Sequence, residues 1–166
     1  MATKVNKWVN AMILSVVVLF GACSTNTCYE HYITLDSPTW DMNKKLPFEV
    51  TMQDTVNHYN VLLHIRHSNL YPYQNIWLFT HSMAPDSTVA CDTLECFLAN
   101  NRGEWLGNLC ISEYEMSLLY MNNIRFPKAG TYTFDITHGM RDSLLLGITN
   151  IGLSVELITP AEDVKE

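Results

Sequence analysis

The sequence predicts an all-β protein: a single antiparallel β-sandwich, of the jelly-roll or immunoglobulin-like kind, with a short helical turn near residues 140–148. Three observations carry this expectation. Apolar residues recur with a period of two from Leu46 onward, the spacing that lines one face of a strand. The candidate strands are short and rich in Val, Thr and aromatic residues. Turn chemistry separates them at Asn69–Gln74, Ala84–Ser87, Asn100–Gly103 and Pro127–Gly130. Short strands joined by polar turns favour an antiparallel sandwich over a parallel sheet, which would need helical crossovers.

Taken in order, residues 24–45 begin polar and read as a short tether, with one early strand at Tyr29–Leu35. Leu46, Phe48, Val50 and Met52 alternate with Pro47, Glu49, Thr51 and Gln53. Tyr59, Val61, Leu63 and Ile65 do the same, as do Tyr132, Phe134 and Ile136, and then Ile151, Leu153, Val155 and Leu157. The stretches NIWLFTHS and STVACDTLECFLA add two strands. One segment breaks the period: in HGMRDSLLLGI, Met140, Leu144 and Ile148 stand at i, i+4 and i+8, which suits a helical turn bounded by Gly139 and Gly147. Burial of the alternating side chains, roughly 1.5–3 kcal/mol each, suffices to hold such a sandwich without cofactor or metal.

The N-terminus has the anatomy of an export signal. Lys4 and Lys7 precede the apolar run Ala11–Phe20, and small residues follow. At about 1.5 Å per helical residue the run is too short for a bilayer core of about 30 Å. The ending LFGAC resembles a lipobox, in which Cys23 receives a diacylglyceryl group and becomes the new N-terminus. The chain therefore divides into a signal peptide (1–22), a lipidated tether (23–45), the sandwich (46–160) and a tail (161–166). Two or more acyl chains anchor stably where one holds only marginally.

Composition excludes some partners. The chain has 10 basic and 17 acidic residues, and removal of residues 1–22 takes two lysines and no acid, leaving a net charge near −9. Such a domain repels nucleic acid and anionic headgroups, so the bilayer must be held through acylated Cys23. Cys28, Cys91, Cys96 and Cys110 remain in an exported setting, free or with three pairings open. Cys91 and Cys96, five apart, point to opposite faces of one strand.

Chemistry-bearing patterns are sparse. His58 and His64 share a strand face but lie about 20 Å apart at roughly 3.3 Å per residue, too far to share an ion. His67 falls on the opposite face, and His81 and His138 are remote in sequence. No nucleophile elbow, H-E-x-x-H or Gly-rich phosphate loop is present, and the pairs Glu113/Glu115 and Asp92/Glu95 read as solvated acids. The expectation is a non-enzymatic protein with no cofactor and no metal. Tyr71-Pro72-Tyr73 places two aromatic rings in a turn, suited to stacking on a sugar or anchoring a protein, unless one ring folds back to cover the sandwich end. Trp40, Trp77 and Trp105 read as core. Arg66 and Arg141 read either as buried partners of acids or carbonyls or as interface contacts.

Several stretches together resemble the gliding-motility lipoprotein family GldH: Tyr59-Asn60, IRHSNLYPYQNIWLF (65–79), DTLECFLA (92–99), GEWLG (103–107) and FPKAGTYTFDITHGMRDSLLLGITNIGLSVE (126–156), with the lipobox before them. The resemblance runs from about Trp40 to Leu157. It implies an exported, non-catalytic lipoprotein that works beside other envelope proteins, those of the gliding machinery among them. A carbohydrate-binding lipoprotein module is the alternative, resting on Tyr71 and Tyr73. Ser24 follows Cys23 without the acidic run that resembles surface-export signals of this bacterial group, which implies a periplasm-facing anchor in the outer membrane. The triplets at Asp54, Asp86, Asp92 and Asp142 resemble the group's O-glycosylation signal, with Thr55 and Ser87, near turns, as the best candidates.

Overall fold

A computed structural model describes residues 26–158. Lipidation at Cys23, the signal peptide and the tail lie outside the described residues. Among the described residues eleven strands run in chain order as β1 (Thr27–Thr34), β2 (Thr39–Asp41), β3 (Leu46–Met52), β4 (Tyr59–Ser68), β5 (Asn75–Met83), β6 (Val89–Phe97), β7 (Asn108–Cys110), β8 (Glu113–Ile124), β9 (Gly130–His138), β10 (Leu144–Leu146) and β11 (Ile148–Leu157). They form two facing antiparallel sheets, β1-β11-β4-β8-β7 and β3-β9-β5-β6, with the small ladder β10-β2 closing one end. The expected antiparallel sandwich is the observed architecture.

The period-two sets meet in the middle. Phe48, Val50, Ile76, Leu78 and Ile136 from one sheet face Val61, Leu63, Ile65, Ile151 and Leu153 from the other, all fully buried. Each stands opposite a matching neighbour, such as Phe48 with Phe134 and Leu63 with Leu153, so register and pleat deliver both to the same face.

Two expectations change. The segment His138–Ile148 holds no helical turn; Leu144–Leu146 is a strand paired with Thr39–Asp41. Its i, i+4 apolar spacing is overridden because Leu145, fully buried, points inward opposite Trp40 while Leu144 and Leu146 stay exposed. Nor does the sandwich begin at Leu46. The stretch read as tether supplies β1, a full edge strand along β11, and β2.

Gly147 makes the corner between β10 and β11 possible. Its φ is +88°, and a Cβ there would stand 2.5 Å from the backbone nitrogen of Tyr71. Gly147→Ala combines a disfavoured backbone with a backbone clash, so it is expected to lower stability by more than about 1 kcal/mol, read as a shift in denaturation midpoint. An unchanged midpoint would contradict this packing of the corner against the turn.

Strand direction gives the sandwich two distinct ends. The first carries the start of the described chain: the Leu157 amide donates to the Asn26 carbonyl (2.7 Å) and the Ile158 amide to the His58 carbonyl (2.9 Å). Tyr59 there pairs with Ile124. Phe126 bridges the sheets, its ring 5.6 Å from Tyr59 and 4.9 Å from Tyr132. At the opposite end lie the Ser68–Asn75 turn, His138 and the β10-β2 ladder.

Candidate functional site

The outer face of the β3-β9-β5-β6 sheet carries exposed aromatic side chains near that opposite end. Ile76, Leu78 and Thr80 of β5 point into the core, so Trp77 and Phe79 point out, 38 % and 48 % exposed. The loop after β9 curls beside them. Gly139 donates its amide to the Trp77 carbonyl (2.7 Å), and the Trp77 amide meets the Met140 sulfur at 3.3 Å. A Cβ at 139 would sit 2.8 Å from the Phe79 ring, so a side chain there would push that ring out of its place in the wall. Tyr73 completes the wall, its hydroxyl donating to Asp142 Oδ2 at 2.7 Å and tying the turn to the loop. The result is an open groove of about 440 Å³ lined by Tyr73, Asn75, Trp77, Phe79, Met140 and Arg141, among others.

Of the four predicted contact residues, Tyr73 and Arg141 meet in this groove. Tyr71 does not. It is 3 % exposed, donates its hydroxyl to the Asn75 carbonyl (2.8 Å), and packs against His67 and Trp105. Burial pushes its phenol well above the usual range. Tyr71 is thus the ring that folds back over the sandwich end. Trp77, expected in the core, is instead a groove wall, while Trp40 is fully buried and Trp105 half-buried. Alternation does not single out Phe79, because β5 is apolar at both parities and its pattern cannot say which face is wet, and Met140, expected on a helical turn, lies in the loop after β9 instead.

Arg66 lies on the other sheet's outer face. Its Nε donates to Glu115 Oε2 at 2.7 Å, and its guanidinium stacks 4.4 Å over the Tyr32 ring. The Tyr32 hydroxyl donates to the other Glu115 oxygen at 2.8 Å. Despite the raising effect of its burial, Glu115 is held below the usual carboxylate range by the hydrogen bonds from Tyr32 and Arg66. Beside it His64 bridges Ser154 (2.8 Å) and Ser117 (2.9 Å), with Glu115 at 3.9 Å from its Nδ1. This resembles a hydrolase constellation only in its residue types. Ser154 is buried in mid-strand, and Nδ1 is occupied by a serine, so the cluster ties β1, β4, β8 and β11 together. The predicted acid pairs are likewise engaged separately, Asp92 by the Tyr120 hydroxyl and Glu95 by the Asn75 amide.

Among the described residues no group of three or more His, Cys, Asp or Glu is placed to hold a metal ion, and no helix is long and apolar enough to cross a membrane. Cys28, Cys91 and Cys110 are exposed free thiols; Cys96 is buried, its pKa pushed up to about 11 by desolvation. Cys96 sits opposite Ile76 and Cys91 opposite His81, on opposite faces of β6 as their spacing implies. Thr55 and Ser87 both lie in loops at the end where the described chain starts, Ser87 exposed and in the left-handed region at φ +66°.

A sequence profile of the family described as "GldH lipoprotein" matches residues 27–155. The chain is 31 % identical over 147 residues to a protein of Christiangramia forsetii named "Gliding motility lipoprotein GldH homolog", covering 84 % of this chain and 90 % of that one. It is 28 % identical over 152 residues to "Gliding motility lipoprotein GldH" of Flavobacterium johnsoniae, covering 87 % and 93 %. Among solved structures, one of the infectious bursal disease virus Gx strain aligns over 82 % of this chain and 34 % of its own at 10 % identity, with a TM-score of 0.28, too low for any structural conclusion. Profile and relatives agree across nearly the whole sandwich, and on that ground this chain belongs to the GldH lipoprotein family.

Proposed function

We propose that this protein is a non-catalytic envelope lipoprotein, anchored through diacylated Cys23 to the periplasmic face of the outer membrane. Its groove binds another envelope protein, within the gliding machinery where that machinery is present. The observation that carries the binding role is the exposed pair Trp77 and Phe79 beside Tyr73, Met140 and Arg141. Trp, Tyr and Arg dominate the energetics of protein interfaces because each combines a large apolar area with a directional polar end. Here they converge on a sheet face that a folded partner can cover.

The test is capture from mild detergent. The lipidated wild-type protein should retain a defined envelope protein, and Trp77→Ala should weaken that capture by about tenfold or more. Because Trp77 lies outside the core, its denaturation midpoint should hardly move. Equal capture by both forms would remove the groove from the interface.

A carbohydrate-binding module is the second reading, favoured by Asn75, Thr93 and Arg141 standing beside the Tyr73 and Trp77 rings. Sugars are held by this pairing of flat apolar faces with directional polar groups. Glycan-array binding that disappears on Tyr73→Ala would select it over the protein interface. Silence on the array would remove it.

A further inference from the structure

The two ends of the sandwich differ in a way that fixes how the domain must stand. Asn26 lies at the end built from the 54–58, 84–88 and 124–130 loops, because β1 starts where β4 and β9 start and β8 ends. The groove lies at the other end. Only two residues, Ser24 and Thr25, separate Asn26 from Cys23, so the Cys23 Cα cannot be more than roughly 10 Å along the chain from this end, at about 3.3–3.6 Å per extended residue.

We propose that the 54–58, 84–88 and 124–130 loops form a lipid-apposed surface, resting on the headgroups of the bilayer that holds Cys23, with the groove facing away. The inference rests on acylation at Cys23. Three further features of the loops fit a lipid surface as occupant. First, charge: residues 26–158 hold 14 acidic and 7 basic side chains, yet these loops hold two of each, Asp54 and Asp86 against Arg125 and Lys128. Most of the negative charge that would be repelled by anionic headgroups lies outside these loops, with Glu156 the nearest further acid on the strands at this end.

Second, the loop carboxylates are already occupied. Asp54 accepts from the Val56 amide (2.8 Å), the Asn57 amide (3.2 Å) and the Tyr59 hydroxyl (2.8 Å), and Asp86 pairs with Lys128. Third, folding the Asp54 carboxylate inward turns the apolar Val56 outward at the loop tip, 74 % exposed. Beside these loops Met83, Val89, Ile124 and Phe126 line an apolar cleft of about 220 Å³. Loops that sum to zero charge around an apolar tip suit headgroup contact; Trp77 in the groove lies roughly 20 Å higher, six residues along β5 from Met83 at about 3.4 Å each. Its partner is therefore a domain that projects from the bilayer or is free of it.

Tryptophan fluorescence reads this directly, since Trp40, Trp77 and Trp105 all lie toward the groove end. Val56 and Leu70 flank β4 at its two ends, and both are well exposed, at 74 % and 67 %. The full lipidated chain, carrying Val56→Trp or Leu70→Trp, is placed in phosphatidylcholine–phosphatidylglycerol vesicles whose acyl chains are brominated near the headgroup. Relative to unbrominated vesicles, the extra emission from Val56→Trp should fall by half or more, while that from Leu70→Trp and from the parent protein should be unchanged. Equal quenching at both positions, or quenching at Leu70→Trp alone, overturns the orientation. Intact mass of the same sample reads acylation independently. An acylated protein with unquenched Val56→Trp sinks the orientation alone, whereas an unacylated one sinks the anchoring and the orientation with it. A glycan found on Thr55 or Ser87 would also overturn the contact, because it would stand between these loops and the lipid.

Discussion

Trp40→Ala is expected to lower the unfolding free energy by about 3–5 kcal/mol, the range for emptying a large buried aromatic site. Trp40 is fully buried, donates its indole N–H to the Lys44 carbonyl at 2.9 Å, and packs its ring 5.1 Å from His138. Its strand is three residues long and is held by β10 alone, so the side chain does much of the work of fixing the β2-β10 ladder over the core. Trp40→Phe should lose far less, since most of the buried area stays and only the indole hydrogen bond goes, worth about 1 kcal/mol. Guanidinium denaturation of the two variants measures both. A loss below about 1 kcal/mol for Trp40→Ala would mean that the ladder is ornamental to the fold.

Where the sequence alternates cleanly, the strands could be read directly. Leu46–Met52 matches β3 residue for residue, because each inward side chain there is apolar and each outward one is polar or proline. β8, the longest strand at 12 residues, left no such trace. Its outward face holds Glu115 and Ser117, drawn into the Arg66 and His64 contacts, apolar residues occupy both faces at Leu118 and Leu119, and its ladder with β4 slips between Leu119 and Met121, which breaks the period beyond. The same limit applies to the groove. Tyr73 and Arg141 were visible as chemistry without a place, and only the register of β5 against β9 brings the 139–142 loop beside Trp77. Tyr71 shows the converse: a turn aromatic looks exposed until its hydroxyl finds a carbonyl four residues away. The signal anatomy around Cys23 needed no tertiary information, since it depends on composition along one short stretch.

Acid should unfold this domain in steps, and histidines should drive the first. His64, His67 and His138 are buried, and in each case desolvation holds the pKa below its ordinary value of 6.5. His67 donates from Nδ1 to the Ser68 carbonyl (3.2 Å), which leaves Nε2 unpartnered among the rings of Tyr71, Trp105 and Tyr114. His138 donates from Nε2 to the Trp40 carbonyl (3.0 Å), with Nδ1 unpartnered. A proton added to either nitrogen has no acceptor to meet, so the folded state resists protonation. The unfolded chain does not. Above about pH 6.5 both states are neutral at these positions, and their contribution to stability is intact. As pH falls below 6.5 the unfolded state gains protons that the folded state refuses, and stability declines toward the depressed folded values. A site protonated in the unfolded chain and neutral in the folded one contributes at most about 1.4 kcal/mol per pH unit, and the three sites act in the same direction. Asp54 and Asp86, whose pKa values are lowered to about 2, add their loss only further down, below about pH 4. Denaturation midpoints measured between pH 7.5 and 4.5 should therefore fall steeply well before the carboxylates titrate. Replacing His67 and His138 together with glutamine should make that slope clearly shallower, whatever it does to stability at pH 7.5. A slope that stays the same in the double variant would show that these two rings already accept protons in the folded protein, and that the aromatic cage around His67 is open to water.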